Sequence, residues 1–417
     1  MTTISYKRTK FACFSAYFTM SSVFCVPPLL FVTFRQSYGI SYTLLGTLVL
    51  INFLTQLTVD IIFTLFAKRI SPKIAIRTMP FIMSAGLLVY ATVPTVFPDS
   101  AYFGLVLGTV VFSIAAGLSE VLLSPTVAAI PSDNPGRDMS LLHSLYAFGV
   151  FTMVIISTLF FYLFGEDSWH YLIIFLSLLP LFTAFLFCTS PMPEMNGAPQ
   201  SNDGQGKSKR RIVGLTLAAL CIFFGSCAEN AMANWISTYM EKALNLSKAI
   251  GDVLGVAMFA VLLGVARIYN AKFGKNIMRV LLVGMIGAAI CYLVAGLSQS
   301  VVFVFIACIF TGLFTSMLWP GALIVVEEKI PGAGVTAFAL MASAGDFGAS
   351  VAPQLLGVII DKVSLSTKAL GIAEALSVTT DWVGLKAGML VCALFPIAGI
   401  FVVLFMMRHF RQKKEQK

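Results

Sequence analysis

A polar segment, residues 191–211, separates two hydrophobic blocks and ends in the basic run Lys207-Ser208-Lys209-Arg210-Arg211. Each block is long enough for six membrane-crossing helices, because one such helix needs about 20 apolar residues. We therefore predict an all-α integral membrane protein with twelve transmembrane helices. The helices would form two pseudo-symmetric six-helix bundles, 1–190 and 212–417, joined by a cytoplasmic central loop, 191–211. This layout is typical of secondary transporters.

The composition leaves no room for a soluble enzyme. Of the 417 residues, 58% are hydrophobic and 11% are charged, whereas a soluble domain carries about 25% charged residues. Twelve spans with short loops use nearly the whole length, so we expect no catalytic domain, no cofactor and no metal site. The predicted spans are 11–34, 43–66, 75–94, 103–127, 140–164, 169–189, 212–238, 250–270, 278–297, 300–325, 335–359 and 385–407.

The distribution of Lys and Arg residues between the two sides of the membrane explains the net positive charge. Most of the 28 Lys and Arg residues fall in the predicted loops on the side of the two termini. Because cytoplasmic loops are enriched in Lys and Arg, both termini are predicted to be cytoplasmic, in a multi-pass protein of the cell membrane. The net charge of +9 then needs no nucleic-acid partner; the lipid bilayer is the expected partner of a monomer.

A short pattern recurs in the two halves. Gly117-Leu118 precedes Pro125 as Gly312-Leu313 precedes Pro320, and the following spans carry Phe148-Gly149 and Phe347-Gly348. Weak similarity of this kind is left by a duplicated six-helix unit. Chance is the alternative, since Gly, Leu and Phe are abundant here.

Four carboxylates lie well inside the predicted spans: Asp60, Glu120, Glu229 and Asp346. An ionisable group at the bilayer centre costs about 2.5–3.5 kcal/mol on insertion scales, so each must face protein or water. No Lys or Arg is expected at similar depth, and Arg267 is placed near the cytoplasmic end of the eighth span. The sequence therefore predicts a neutral to acidic cavity, which disfavours anionic substrates.

Asn52, Gln56 and Asp60 recur every four residues and so share one face of the second span. Two readings are open for Asn52 and Gln56: lining of the solute path, or hydrogen-bonding between helices. For Asp60, proton coupling and an ion pair with Lys68 are both open.

Glu120 and Asp346 are the other proton-coupling candidates. Glu120 lies among small residues and before Pro125, where desolvation disfavours its charged form; a permanently neutral structural role is the alternative. Asp346 is a candidate for either the proton or the solute. His143 is a candidate relay or solute contact, against a packing role.

The seventh span carries the remaining solute-binding candidates, Glu229, Asn230, Asn234 and Trp235. A carboxylate, amides and an aromatic ring suit a polyol or an organic amine, through hydrogen bonds and ring stacking. The alternative places Trp235 in an interfacial aromatic belt, which is the role we expect for Tyr239.

With these features in place, the chain resembles the major facilitator superfamily over its whole length. The motif of that family after helix 2, GxxxDRxGRR, is degenerate here, since only Arg69 and Lys73 match it well. The segment from Gly264 to Lys275 is a better match in the second half. The degeneracy puts in doubt the gating role that the motif would imply.

Within the superfamily the chain looks most like the fucose–proton symporter branch. The resemblance is carried by Gly117-Leu118-Ser119-Glu120, by Leu142 to Tyr146 with Gly149, by Glu229 with Trp235 and Tyr239, and by Gly345, Gly348 and Pro353. It implies a proton-linked role for Glu120. The chain departs from that branch in having no acidic residue between Phe11 and Phe34.

We therefore expect a transporter that moves a small neutral polar solute, a sugar or polyol, by alternating access coupled to protons, or to Na⁺. An exporter of cationic or amphipathic compounds is the alternative, since four buried carboxylates also suit a cation and the 36 Phe residues could line an adaptable pocket. A membrane receptor or lipid-handling protein is a third possibility, and absent solute flux would favour it.

Overall fold

The structure is a computed structural model that describes residues 5–66, 69–193, 209–273, 276–330 and 335–411, and all regular secondary structure in these residues is helical. The α-helices are α1 (Lys7–Leu29), α2 (Phe31–Tyr38), α3 (Tyr42–Phe66), α4 (Pro72–Val96), α5 (Ala101–Ala129), α6 (Pro135–Phe164), α7 (Trp169–Leu176), α8 (Leu178–Cys188), α9 (Lys209–Lys242), α10 (Lys248–Ile250), α11 (Met258–Phe273), α12 (Ile277–Leu297), α13 (Val301–Thr315), α14 (Leu318–Lys329), α15 (Val335–Ser364), α16 (Thr367–Leu376), α17 (Thr380–Cys392) and α18 (Leu394–Arg411). A π-helical segment, Gly251–Ala257, joins α10 to α11.

Twelve stretches of the described chain are long and apolar enough to cross a membrane, which confirms the predicted number of spans. Eight contain one α-helix each. The other four are formed by consecutive elements: α7 with α8, α10 with α11, α13 with α14, and α17 with α18. The short helices α2 and α16 lie between spans and were not predicted.

Proline explains where three of these spans break. A proline donates no N–H, and its ring clashes with the carbonyl of the residue four positions earlier. The breaks fall at those earlier residues, which are Leu176 before Pro180, Ser316 before Pro320 and Cys392 before Pro396. The predicted spans were drawn from hydrophobic length alone and therefore ran through these breaks.

The first span differs from its predicted limits, 11–34. The helix begins at Lys7 and ends at Leu29, after the pair Pro27-Pro28. The N–H of Leu30 donates to the carbonyl of Pro27 at 3.0 Å, which tightens the last turn before α2 begins. The two prolines account for the early end of the helix, because neither can donate to the helical ladder.

The chain divides into two compact units, one formed by 1–40 and 51–198 and the other by 41–50 and 199–417. The first unit contains an aromatic cluster in which the rings of Phe34 and Trp169 lie 5.0 Å apart, with Tyr38 and Tyr90 beside them. The second has an aliphatic core shared by α9, α12, α14, α15 and α18. The predicted bundle boundaries stay a prediction, and residues 194–208 of the predicted central loop lie outside the described residues.

The glycines of the repeated pattern make equivalent contacts in the two units. A Cβ atom at Gly149 in α6 would lie 2.8 Å from the carbonyl oxygen of Phe18 in α1, and one at Gly348 in α15 would lie 2.4 Å from that of Phe223 in α9. Ser21 and Ser226, each three residues further on, flank the same two glycines. The repeat therefore has a structural counterpart: each glycine lets its helix approach the first spanning helix of its unit closely.

Candidate functional site

The polar face of α3 is bonded to the neighbouring helix α5. Gln56 donates from Nε2 to Oδ1 of Asn52 at 2.9 Å, and Ser113 in α5 donates to the same oxygen at 2.7 Å. Gln56 is 1% exposed and Asn52 is 7% exposed. The predicted shared face is therefore present: Asn52 accepts from Gln56 on its own helix and from Ser113 on α5, and the solute-path role of both amides stays a prediction.

Asp60 and Glu120 lie close enough for their charges to interact. Helix packing explains the proximity: a Cβ atom at Gly117 would lie 3.1–3.2 Å from Val59 and Gln56, so α3 and α5 nearly touch one turn before the two acids. One carboxylate oxygen of Asp60 is buried with no hydrogen-bond partner among the described residues. Lys68, the alternative partner of Asp60, lies outside the described residues.

The two asparagines of α9 bond along their own helix. Asn230 donates from Nδ2 to the carbonyl of Ser226 at 3.1 Å and to its hydroxyl at 3.2 Å. Asn234 donates to the carbonyl of Asn230 at 2.9 Å. These bonds hold the amides in a row one turn apart, with Asn230 partly exposed and Asn234 nearly buried.

Glu229 has a basic partner that the sequence analysis placed elsewhere. A guanidinium nitrogen of Arg267, in α11, lies 3.5 Å from the carboxylate of Glu229, and Nε of Arg267 donates to the carbonyl of Ser316 at 2.9 Å. That carbonyl is at the break before Pro320, where it has lost its helical donor. Arg267 therefore links α9 to the break between α13 and α14.

The prediction that no basic side chain reaches the depth of the carboxylates was wrong. Arg267 overturns it by reaching Glu229. Two lysines at span ends are also buried: Lys386 in α17 is 5% exposed and donates to the carbonyls of Ala295 and Ser298, at the end of α12, at 2.8 and 2.7 Å. Lys248 lies 3.5 Å from Asp252, a fully buried carboxylate that also accepts a hydrogen bond from Ser237. Asp252 was missed, although Lys248 precedes it by four residues, the spacing of a helical ion pair.

Trp235 and Tyr239 are both buried in the second unit. Trp235 is fully buried and donates from Nε1 to the carbonyl of Pro353 at 3.0 Å, so in this conformation it offers no free surface to a solute. Tyr239 is also fully buried and donates to the carbonyl of Ala295 at 2.5 Å. The interfacial-belt role expected for Tyr239 was therefore wrong, because a belt residue faces the membrane boundary.

Two predicted site residues, Asp346 and His143, remain to be described. Asp346 is 4% exposed in α15, next to Gly345, where a Cβ atom would lie 2.3 Å from the ring of Trp319. His143 lies in α6, but its side chain is outside the described residues. The proton and solute roles of both residues stay predictions.

Comparison with known proteins finds one matching family model and several solved transporter structures with a similar fold. A family model described as Major Facilitator Superfamily matches residues 11–353. A bacterial homologue of the human lysosomal transporter Spinster, inward-facing and unoccupied, is 12% identical over 98% of both chains, with a TM-score of 0.78. The nucleoside transporter NupG is 14% identical over 96% of this chain and 98% of that chain, with a TM-score of 0.66. A D-xylose–proton symporter is 15% identical over 94% of this chain and 97% of that chain, with a TM-score of 0.69. No curated protein sequence matches the chain.

Proposed function

We propose, from the premise that this chain belongs to the Major Facilitator Superfamily and is a membrane transporter rather than an enzyme, that it couples proton movement to transport of a small neutral polar solute. The solute would be a sugar or polyol, moved by alternating access. The fucose–proton branch remains the relative that the sequence suggests. We place the protein in the cell membrane as a monomer with both termini in the cytoplasm.

The observation that carries proton coupling is the close packing of α3, which carries Asp60, on α5, which carries Glu120. Two carboxylates on closely packed helices repel each other in a medium of low dielectric constant, so protonation of one of them is favoured. The close approach of α3 and α5 at Gly117 maintains this proximity. In the proposal Glu120 exchanges the proton and Asp60 responds to its charge.

The pairing of Glu229 with Arg267 supports a neutral solute over a cation. The positive guanidinium offsets the charge of Glu229, which weakens the case for a cation exporter at this position. Asn230 and Asn234, in the same row, would supply hydrogen bonds to hydroxyl groups. In the proposal Asn52 and Gln56 also bind the solute: the hydrogen bond between them would break, and each side chain would bond to the solute instead.

The test measures external pH on addition of sugars, polyols, amino acids and organic cations to lightly buffered proteoliposomes. Wild type, Glu120→Gln and Glu327→Gln would be compared; Glu327 is an exposed control near the end of α14. We expect external alkalinisation with one class of neutral solute, lost in Glu120→Gln and retained in the control.

Two results would overturn parts of this proposal. A signal with cations alone would favour the exporter. Solute uptake without proton movement would refute proton coupling, and dependence of that uptake on a Na⁺ gradient would identify the alternative ion.

A further inference from the structure

Helix α16 has an apolar side that the protein only partly covers. Ala369 and Ala373 are buried against Val363, Val378 and Trp382. Large apolar side chains beside this alanine stripe are exposed: Leu370 at 53%, Ile372 at 45% and Leu376 at 44%, with Leu365 just before the helix at 87%.

The arrangement is that of an amphipathic helix. At 100° per residue, Leu370 lies on one side of the alanine stripe and Ile372 and Leu376 lie on the other, so the apolar arc spans about 160°. Thr367, Lys368, Gly371 and Glu374 occupy the opposite arc. The exposed leucines and isoleucine therefore flank the alanine stripe, which itself packs against the protein.

The ends of α16 are capped and tied to membrane spans. Ser366 accepts from the N–H of Ala369 at 3.1 Å, and Ser377, with φ of 52°, ends the helix in a left-handed turn. Only two residues connect α15 to α16, and three connect α16 to α17. Both flanking helices belong to candidate membrane spans, so α16 is held at a membrane boundary, on the side opposite the C-terminus.

We propose that α16 is an interfacial helix that lies in the lipid headgroup region, with Leu365, Leu370, Ile372 and Leu376 inserted among the acyl chains. The lipid bilayer is the occupant that fits, because connections of only two and three residues hold α16 against the ends of two candidate membrane spans. Helices of this kind present a charged or polar face to water and bury the apolar face at the headgroup boundary. The proposal does not depend on the solute or on proton coupling.

The test uses nitroxide labels on single cysteines in the full-length protein, reconstituted in phosphatidylcholine–phosphatidylglycerol liposomes. Leu370→Cys and Ile372→Cys report on the apolar arc, and Gly371→Cys and Glu374→Cys are matched controls on the polar arc. Cys188 would be replaced by Ser, because the other cysteines are buried. Collisions with oxygen, which concentrates in lipid, are compared with collisions with a water-soluble nickel chelate.

We expect the ratio of oxygen to nickel accessibility to be several-fold higher at positions 370 and 372 than at 371 and 374. Equal ratios at all four positions would overturn the proposal. Exclusion of both reagents from positions 370 and 372 would also overturn it, because a protein partner would then cover the surface. Spin–spin broadening at those positions would identify that partner as a second copy of the chain.

Discussion

At the scale of single residues, the contact between Glu229 and Arg267 gives a sharp prediction. Arg267→Gln should lower solute uptake by roughly tenfold, because leaving a partly buried polar group without its partner costs about 1–3 kcal/mol. The midpoint of thermal unfolding should also fall by several degrees. The double variant Glu229→Gln, Arg267→Gln should recover part of the lost stability, because it removes both charges. Uptake and thermal unfolding of the purified protein would measure these effects.

Arg279→Gln is the matched control for this double-mutant cycle of Glu229 and Arg267, since Arg279 is an exposed arginine near the start of α12. It should leave both uptake and the unfolding midpoint close to wild type. Strictly additive effects of the two single changes would contradict an energetic coupling between Glu229 and Arg267.

The sequence could predict contacts within a helix but not those between helices. Asn52 and Gln56 are four residues apart, and the hydrogen bond between them follows from helical geometry. Glu229 and Arg267 are separated by a turn between two spans, so their contact depends on helix packing and on the reach of a long side chain. Sequence position alone therefore placed Arg267 at the cytoplasmic end of its span and missed its partner.

At the scale of helices, two glycine substitutions should have opposite effects. Gly348→Ala should destabilise the protein by about 1–3 kcal/mol, because its Cβ would lie 2.4 Å from a backbone oxygen of α9 that cannot move independently. Gly371→Ala should stabilise it by about 0.4–1 kcal/mol, since nothing lies within 4 Å and alanine has the higher helix propensity. The measurement is the thermal unfolding of each purified variant. A Gly348→Ala variant as stable as wild type would contradict the close packing of α15 on α9.

The span count was predictable because it depends on hydrophobic length, but the internal breaks depend on local proline chemistry. The hydrophobic run from 300 to 325 contains Pro320, and the structure places the break four residues before it. Helix α16 was missed for a different reason: ten residues are too few to register as a span. Its N-capping serine, Ser366, is the local signal that could have revealed its start, whereas Ser377, in a left-handed turn that favours glycine, gave no such signal for its end.

At the scale of the whole molecule, proton coupling and solute exchange are separable steps. A symporter loaded with both ligands can reorient and exchange labelled for unlabelled solute without releasing its proton, whereas net accumulation requires that release. A glutamine at position 120 is permanently neutral and resembles the protonated glutamic acid. Glu120→Gln should therefore lose accumulation driven by a pH gradient and retain exchange within about twofold of wild type, a difference of less than about 0.5 kcal/mol. Both rates would be measured in the same proteoliposomes, with Glu327→Gln as the control.

If Glu120→Gln abolished exchange as well, Glu120 would belong to the solute site or to the packing of α5, and Asp60 could not be assigned as its partner in proton transfer.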